Sequence, residues 1–120
     1  MTLSECLEKH GIKDVRCGAE CGDGWVPIID AFLTLAGNND YVVGQLKEKF
    51  GTLRFYWHGE PVGEGKVDDV WYDIANALES YAEHTSSFTC ERCGKDGELR
   101  TKGWMWTLCD ECEEKRANAH

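Results

Sequence analysis

Two Cys-x-x-Cys pairs, Cys90 with Cys93 and Cys109 with Cys112, stand fifteen residues apart and constrain this chain more than any other feature. Each pair can turn two thiolates toward one point, and two pairs complete the tetrahedral sulfur shell that Zn²⁺ prefers. Four thiolates leave no coordination position for water or substrate. The expected cofactor is therefore one Zn²⁺ ion with a structural role.

The residues around the pairs suggest how the metal is built in. Cys90-Glu91-Arg92-Cys93-Gly94 reads as a knuckle, with Gly94 allowing the backbone to turn its amides toward the sulfurs. Residues 98–101 and 104–108 predict a short hairpin around Lys102-Gly103, and residues 109–116 predict a helix with acidic residues first and basic ones last, as the helix dipole favours. Knuckle, hairpin and helix in that order point to a treble-clef-like zinc module rather than an all-strand ribbon. The predicted organisation is an α+β core domain over residues 1–88 and a zinc-binding module over residues 89–120.

With 120 residues, 42% apolar content and only two prolines, the remainder of the chain can form one modest core, to which a metal-tied tail is a useful addition. No apolar run reaches membrane-spanning length, and Met1-Thr2-Leu3-Ser4-Glu5 lacks the basic-then-apolar build of a signal peptide. An odd number of cysteines, seven, fits thiols kept reduced or metal-bound better than a disulfide framework, so a cytoplasmic location without membrane contact is expected. The charge is uneven. Residues 1–89 carry seven Lys/Arg against fifteen Asp/Glu, whereas residues 90–120 carry six against seven. A four-thiolate zinc adds about two further negative charges to the tail. The net charge of −9 thus disfavours broad attraction to nucleic acid.

Along the core, Thr2-Leu3-Ser4-Glu5 has the form of a capping box before a two-turn helix ending at Gly11. Asp23 is placed to cap a second helix, with Trp25, Ile28, Ile29, Phe32 and Leu35 at helical spacing and Gly37 at its stop. After the Asn38-Asn39-Asp40 turn, residues 41–49 and 53–58 alternate with period two around Phe50-Gly51-Thr52, which predicts a small antiparallel sheet. Leu53, Phe55 and Trp57 then share one face, and Arg54, Tyr56 and His58 the other. Residues 59–65 read as a flexible loop. Val67, Val70, Trp71, Ile74, Leu78 and Tyr81 mark a long amphipathic helix that Ser86-Ser87 ends.

Three further sets of residues invite functional readings. Cys6 and His10 lie four apart on the first helix and Cys17 and Cys21 follow, so these four have the residue types for a second metal ion; ordinary buried or loop thiols are the competing reading. Lys47, Lys49, Arg54 and Tyr56 gather on one hairpin face, and Trp104 and Trp106 alternate around Met105, a combination suited to anchoring a partner. The competing reading pairs Lys47, Lys49 and Arg54 with Asp68, Asp69 or Asp73. Asp68 and Asp69 with Glu64 have the chemistry for a hard cation, although acids at a helix start ordinarily serve its dipole. No catalytic residues emerge: the four histidines are scattered, and neither a nucleophile elbow nor a phosphate loop occurs.

Taken together, Gly22-Asp23-Gly24-Trp25, the string Lys47-Glu48-Lys49-Phe50-Gly51-Thr52-Leu53-Arg54-Phe55-Tyr56, and Cys90-x-x-Cys93-Gly94 with Trp104 and Leu108-Cys109 resemble a group of small bacterial and phage proteins. The resemblance covers the chain from Gly22 to Cys112, and it implies host manipulation, including inhibition of a defence system, as a natural setting. The expected function is a non-enzymatic adaptor or inhibitor that binds a protein partner. Nucleic-acid binding through the basic hairpin with Arg92, Lys95, Arg100 and Lys102 is the alternative, and a metal-dependent hydrolase is the third reading. An outward-facing tryptophan at 104 or 106 favours the first.

Overall fold

The structure is a computed structural model that describes residues 1–12, 15, 18–36, 42–58 and 69–118; the side chains of residues 36, 42, 43, 57, 58 and 69–72 are outside that description. Among the described residues the chain is α+β, with four α-helices, a three-stranded sheet and a two-stranded sheet. None of these helices is long and apolar enough to cross a membrane.

Helix α1, Leu3–Lys9, starts with the expected capping box: the Glu5 amide donates to Thr2 Oγ1 at 3.2 Å and the Thr2 amide to Glu5 Oε1 at 3.0 Å. Asp23 does not cap the next helix. A 3₁₀ turn, Asp23–Trp25, comes first, with Gly22 in the cap position and no side-chain cap, while the Asp23 carboxylate accepts the Leu3 amide at 3.0 Å and so ties down α1. Helix α2, Val26–Ala36, follows directly. Trp25, Ile28, Ile29 and Phe32 are buried as expected, but Leu35 is 66% exposed and Leu33 takes its place. At 3.6 residues per turn Leu35 lies about 120° round from Ile29, past the edge of the stripe that Trp25, Ile29 and Leu33 centre on the core.

Strands β2, Val42–Lys49, and β3, Thr52–His58, pair antiparallel with Lys47 opposite Arg54 and Lys49 opposite Thr52. Their two-residue connection has Phe50 at φ 54° and Gly51 at φ 80°, the pair of positive angles that matches a hairpin's right-handed twist. A third strand departs from the expected purely antiparallel sheet: β1, Ala19–Glu20, pairs parallel with β2, Ala19 opposite Leu46. Two residues carry no periodicity, so the sequence offered no sign of it.

Leu46, Leu53 and Phe55 form the inner face of the hairpin, and Phe55 stacks on Phe32 of α2 with ring centroids 3.7 Å apart. Helix α3, Asp69–Ser86, packs against β3 and α2 through Ala75, Leu78 and Ala82. Ile74 and Tyr81, expected on that face, are each 47% exposed. The two alanines let the helix backbone come close to the sheet, which turns the stripe toward them and leaves Ile74 and Tyr81 on the flank. Ser86 ends α3 inside the protein, its hydroxyl accepting the Leu53 amide at 2.7 Å. The stop at Gly37, the Asn38–Asp40 turn, the loop over residues 59–65, and Val67 and Asp68 lie outside the described residues.

Candidate metal centre

The chain leaves α3 into a tight turn, then β4, Glu98–Arg100, β5, Trp106–Leu108, and helix α4, Asp110–Asn118. Strands β4 and β5 pair antiparallel, Leu99 opposite Thr107. Gly94, at φ 83°, closes the first Cys-x-x-Cys by donating its amide to the Cys90 carbonyl at 2.9 Å. Cys109 precedes α4, where the Cys112 amide points at its Sγ from 3.4 Å and the Glu113 amide closes onto its carbonyl at 2.9 Å. Arg100 fixes the approach of that helix by donating to the Leu108 carbonyl at 3.0 Å and to Asp110 Oδ1 at 2.8 Å.

These elements bring the sulfurs of Cys90, Cys93, Cys109 and Cys112 to within 4.8 Å of one another, with Cys93 and Cys109 3.6 Å apart. That is close enough to bind one metal ion, and a set of four thiolates fits zinc. Cys90 and Cys112 are buried, Cys109 half-buried and Cys93 exposed, so the site is open to solvent on the Cys93 side. Burial pushes the Cys90 thiol up, but amide hydrogens from Cys109, Cys93 and Arg92 outweigh it and bring the group down to about 7. Cys112 goes the other way, to about 12, through burial and the crowding of the other thiols. Four such groups cannot all ionise around an empty centre; a dication supplies the charge that lets them.

The module rests on the core at two seats. Gly22 and Gly24 lie against the knuckle backbone: a Cβ on Gly24 would run into the Cys90 carbonyl oxygen and one on Gly22 into that of Glu91. This contact is held by hydrogen bonds from the Gly24 amide to the Glu91 carbonyl at 2.7 Å, from the Gly22 amide to Glu91 Oε2 at 2.8 Å, and from Trp25 Nε1 to the Thr89 carbonyl at 2.9 Å. Glu91 is 4% exposed, its other carboxylate oxygen has no hydrogen-bond partner among the described residues, and burial raises its pKa. The second seat is the hairpin tip, where the Gly51 carbonyl accepts the buried Thr107 hydroxyl and a Cβ on Gly51 would come within 2.6 Å of Leu99. Sequence reasoning took Gly22-Asp23-Gly24-Trp25 as a helix start alone. Two glycines flanking an aspartate with no phosphate loop nearby were the available sign of a close backbone approach.

The register keeps Lys47, Lys49, Arg54 and Tyr56 on one hairpin face, with Lys47 directly opposite Arg54 and Gln45 opposite Tyr56, and two clefts border that face. Lys47, Glu48, Lys49 and Phe50 line an open cleft of about 310 Å³ with Gly103, Trp104 and Met105 of the module. Phe50 is 62% exposed and Trp104 67%, with Lys49 Nζ 5.7 Å from the Phe50 ring centre. Trp104 Nε1 donates to Glu48 Oε2 at 3.2 Å, and Glu48 Oε1 accepts the Gly51 amide at 2.7 Å. Arg54 and Tyr56 instead border Glu79 and Glu83 of α3, and Arg54 pairs with Glu83 at 3.1 Å. Trp106 is half-buried beneath Arg92, whose guanidinium lies 5.4 Å from its ring centre.

Of the four residues named for a second metal, Cys6 and His10 come together among the described residues. Cys6 and His10 meet Asp30 of α2, with one donor atom from each of the three within 4.8 Å of the others. Cys21 lies elsewhere, its thiol pushed up to about 12 by burial and by the Glu91 and Asp23 carboxylates, and Cys17 is outside the described residues. No family model, no curated protein and no solved structure matches the chain.

Proposed function

We propose that the chain is a small, non-enzymatic, zinc-stabilised binding protein, with a treble-clef-like module that locks one Zn²⁺ between Cys90, Cys93, Cys109 and Cys112 and presents a surface to a protein partner. The carrying observation is the cleft between hairpin tip and module, where Phe50 and Trp104 stand exposed beside Lys47 and Lys49. Phe50 occupies a left-handed backbone position that costs a side-chain-bearing residue about 1–2 kcal/mol. An exposed aromatic held at that cost, opposite an exposed tryptophan, has the composition of an interface anchor. Among the described residues Lys47 and Lys49 form no ion pair, so the cleft offers positive charge on an otherwise acidic protein. The four-thiolate shell has no open position for substrate, which favours binding over catalysis. The resemblance to bacterial and phage proteins supports a host-interaction or anti-defence setting for an adaptor or inhibitor of this kind.

The test is affinity capture of the tagged protein from bacterial lysate with and without nuclease treatment, with Trp104→Ala and Arg54→Ala run in parallel. One stoichiometric protein retained by wild type and Arg54→Ala but lost with Trp104→Ala is the expected outcome. Material that disappears on nuclease treatment would transfer the cleft to a single-stranded nucleic acid stacking on Phe50 and Trp104. Equal capture by all three proteins would remove the cleft from consideration.

A further inference from the structure

We infer that Cys6, His10 and Asp30 form a second metal site, for a single zinc-class ion held in the seam between α1 and α2. The two helices deliver the donors in complementary ways. Cys6 lies on α1 and His10, four residues on, is its C-cap residue, with its amide donating to the Cys6 carbonyl, while Asp30 comes from the middle of α2. One donor atom each from sulfur, imidazole and carboxylate lies within 4.8 Å of the others, and His10 Nε2 is 2.7 Å from Asp30 Oδ1. Thiolate, imidazole and carboxylate are the ligand types zinc takes, and three of them leave a fourth position for water.

Charge balance favours the ion. One thiolate and one carboxylate neutralise a dication, so the loaded site carries no net charge next to a fully buried Cys6. Asp30 now accepts Lys9 Nζ at 3.0 Å, but that ammonium is 55% exposed and can return to water, because an exposed ion pair is weak. An approach route exists as well. Asp30 lines an open cleft of about 440 Å³ shared with Met1, Asp23 and Arg92, so an ion and its water can arrive from the Asp30 side while Cys6 stays covered. Asp30 is also the only charged residue in the sequence of α2, where Thr34 is the one other polar side chain.

The measurement is the zinc content of the purified full-length protein after equilibration with zinc and removal of loosely held metal. Two ions per chain are expected, falling to one in His10→Gln, in Asp30→Asn and, independently, in Cys90→Ser/Cys93→Ser. Cobalt substitution separates the sites, since a one-thiolate centre gives a much weaker sulfur-to-metal charge-transfer band than four thiolates; this weak component should vanish in Asp30→Asn and in His10→Gln while the four-thiolate band stays. Far-ultraviolet circular dichroism of the variants guards against reading misfolding as metal loss. A wild-type stoichiometry of one ion, with a purely four-thiolate cobalt spectrum, would overturn the inference. So would an Asp30→Asn protein that is folded and still holds two.

Discussion

The core and the tail are held by different physics. In the core, twelve residues from Cys6 to Ala82 bury one another, and Trp25, Ile29, Leu33, Leu46 and Leu53 lose nearly all contact with water. Among the described residues the buried cluster of the tail contains only Cys90, Leu108 and Cys112, with Trp106 and Cys109 packed at its edge. Removing an apolar side chain from water contributes about 1.5–3 kcal/mol, so the core can close by burial while three small groups cannot offset the ordering of thirty residues. What the tail has besides is four thiols close enough to bind a metal ion and two seats on the core. A weak module is thereby fixed against a strong one, and the exposed cleft forms where they meet.

Breaking the sulfur shell should have the largest effect. Cys90→Ser or Cys109→Ser, or chelation of the wild type, is expected to unfold the tail, since structural zinc contributes roughly 10–16 kcal/mol in zinc-finger peptides near neutral pH. Amide hydrogen exchange should then show residues 89–118 losing protection while Ile29, Leu46 and Leu53 keep theirs. Equal loss in both regions would mean that the core also depends on the tail. Acidification should act in the same direction as chelation, because protons compete with metal for the thiolates.

Next in size is the seat. Gly24→Ala places a methyl group against the Cys90 carbonyl, a backbone contact that cannot swing away, and is expected to cost about 3 kcal/mol. A thermal midpoint lowered by several degrees, with zinc content intact, would show the seat acting apart from the metal. An unchanged midpoint would show that the module need not rest on Gly24.

Trp104→Ala separates surface from scaffold. With two-thirds of the residue exposed, stability should move by less than about 0.5 kcal/mol, whereas partner affinity should fall by about 2 kcal/mol, roughly thirtyfold. Titration calorimetry with the captured partner measures the second quantity and thermal unfolding the first.

The smallest expected effect is at Glu91. Burial raises its folded-state pKa above the ordinary 4.5, so its contribution is fully favourable below that value and is lost as pH rises through the folded pKa. Glu91→Gln should therefore raise the unfolding midpoint at pH 7, with the gain shrinking toward pH 4. A lowered midpoint at pH 7 would mean that the carboxylate's bond to the Gly22 amide outweighs the cost of its charge.

Much of the local architecture was legible beforehand because its causes are local. Thr2 and Glu5 are three residues apart and cap α1 as their spacing requires; Phe50-Gly51 turns the hairpin; Ser86 ends α3. The four thiol ligands were legible for the same reason, since each Cys-x-x-Cys places its own pair. Periodicity served less well where a stripe has an edge, as the exposure of Leu35, Ile74 and Tyr81 shows. The pairing of Arg54 with Glu83 was not legible, because Glu83 lies twenty-nine residues from Arg54 and only the packing of α3 on β3 brings it near.

The sequence alone determined the elements that depend on neighbours along the chain: the capping box, the hairpin turn, the knuckle and the thiolate set that calls for a metal. Tertiary structure decided what meets across long separations. It seated Gly22 and Gly24 under the knuckle, placed Trp104 across from Phe50, and brought Asp30 to Cys6 and His10 in place of Cys21. Short-range pairings follow from fixed backbone geometry, whereas these contacts depend on how whole helices and strands settle over a shared core, which no spacing records.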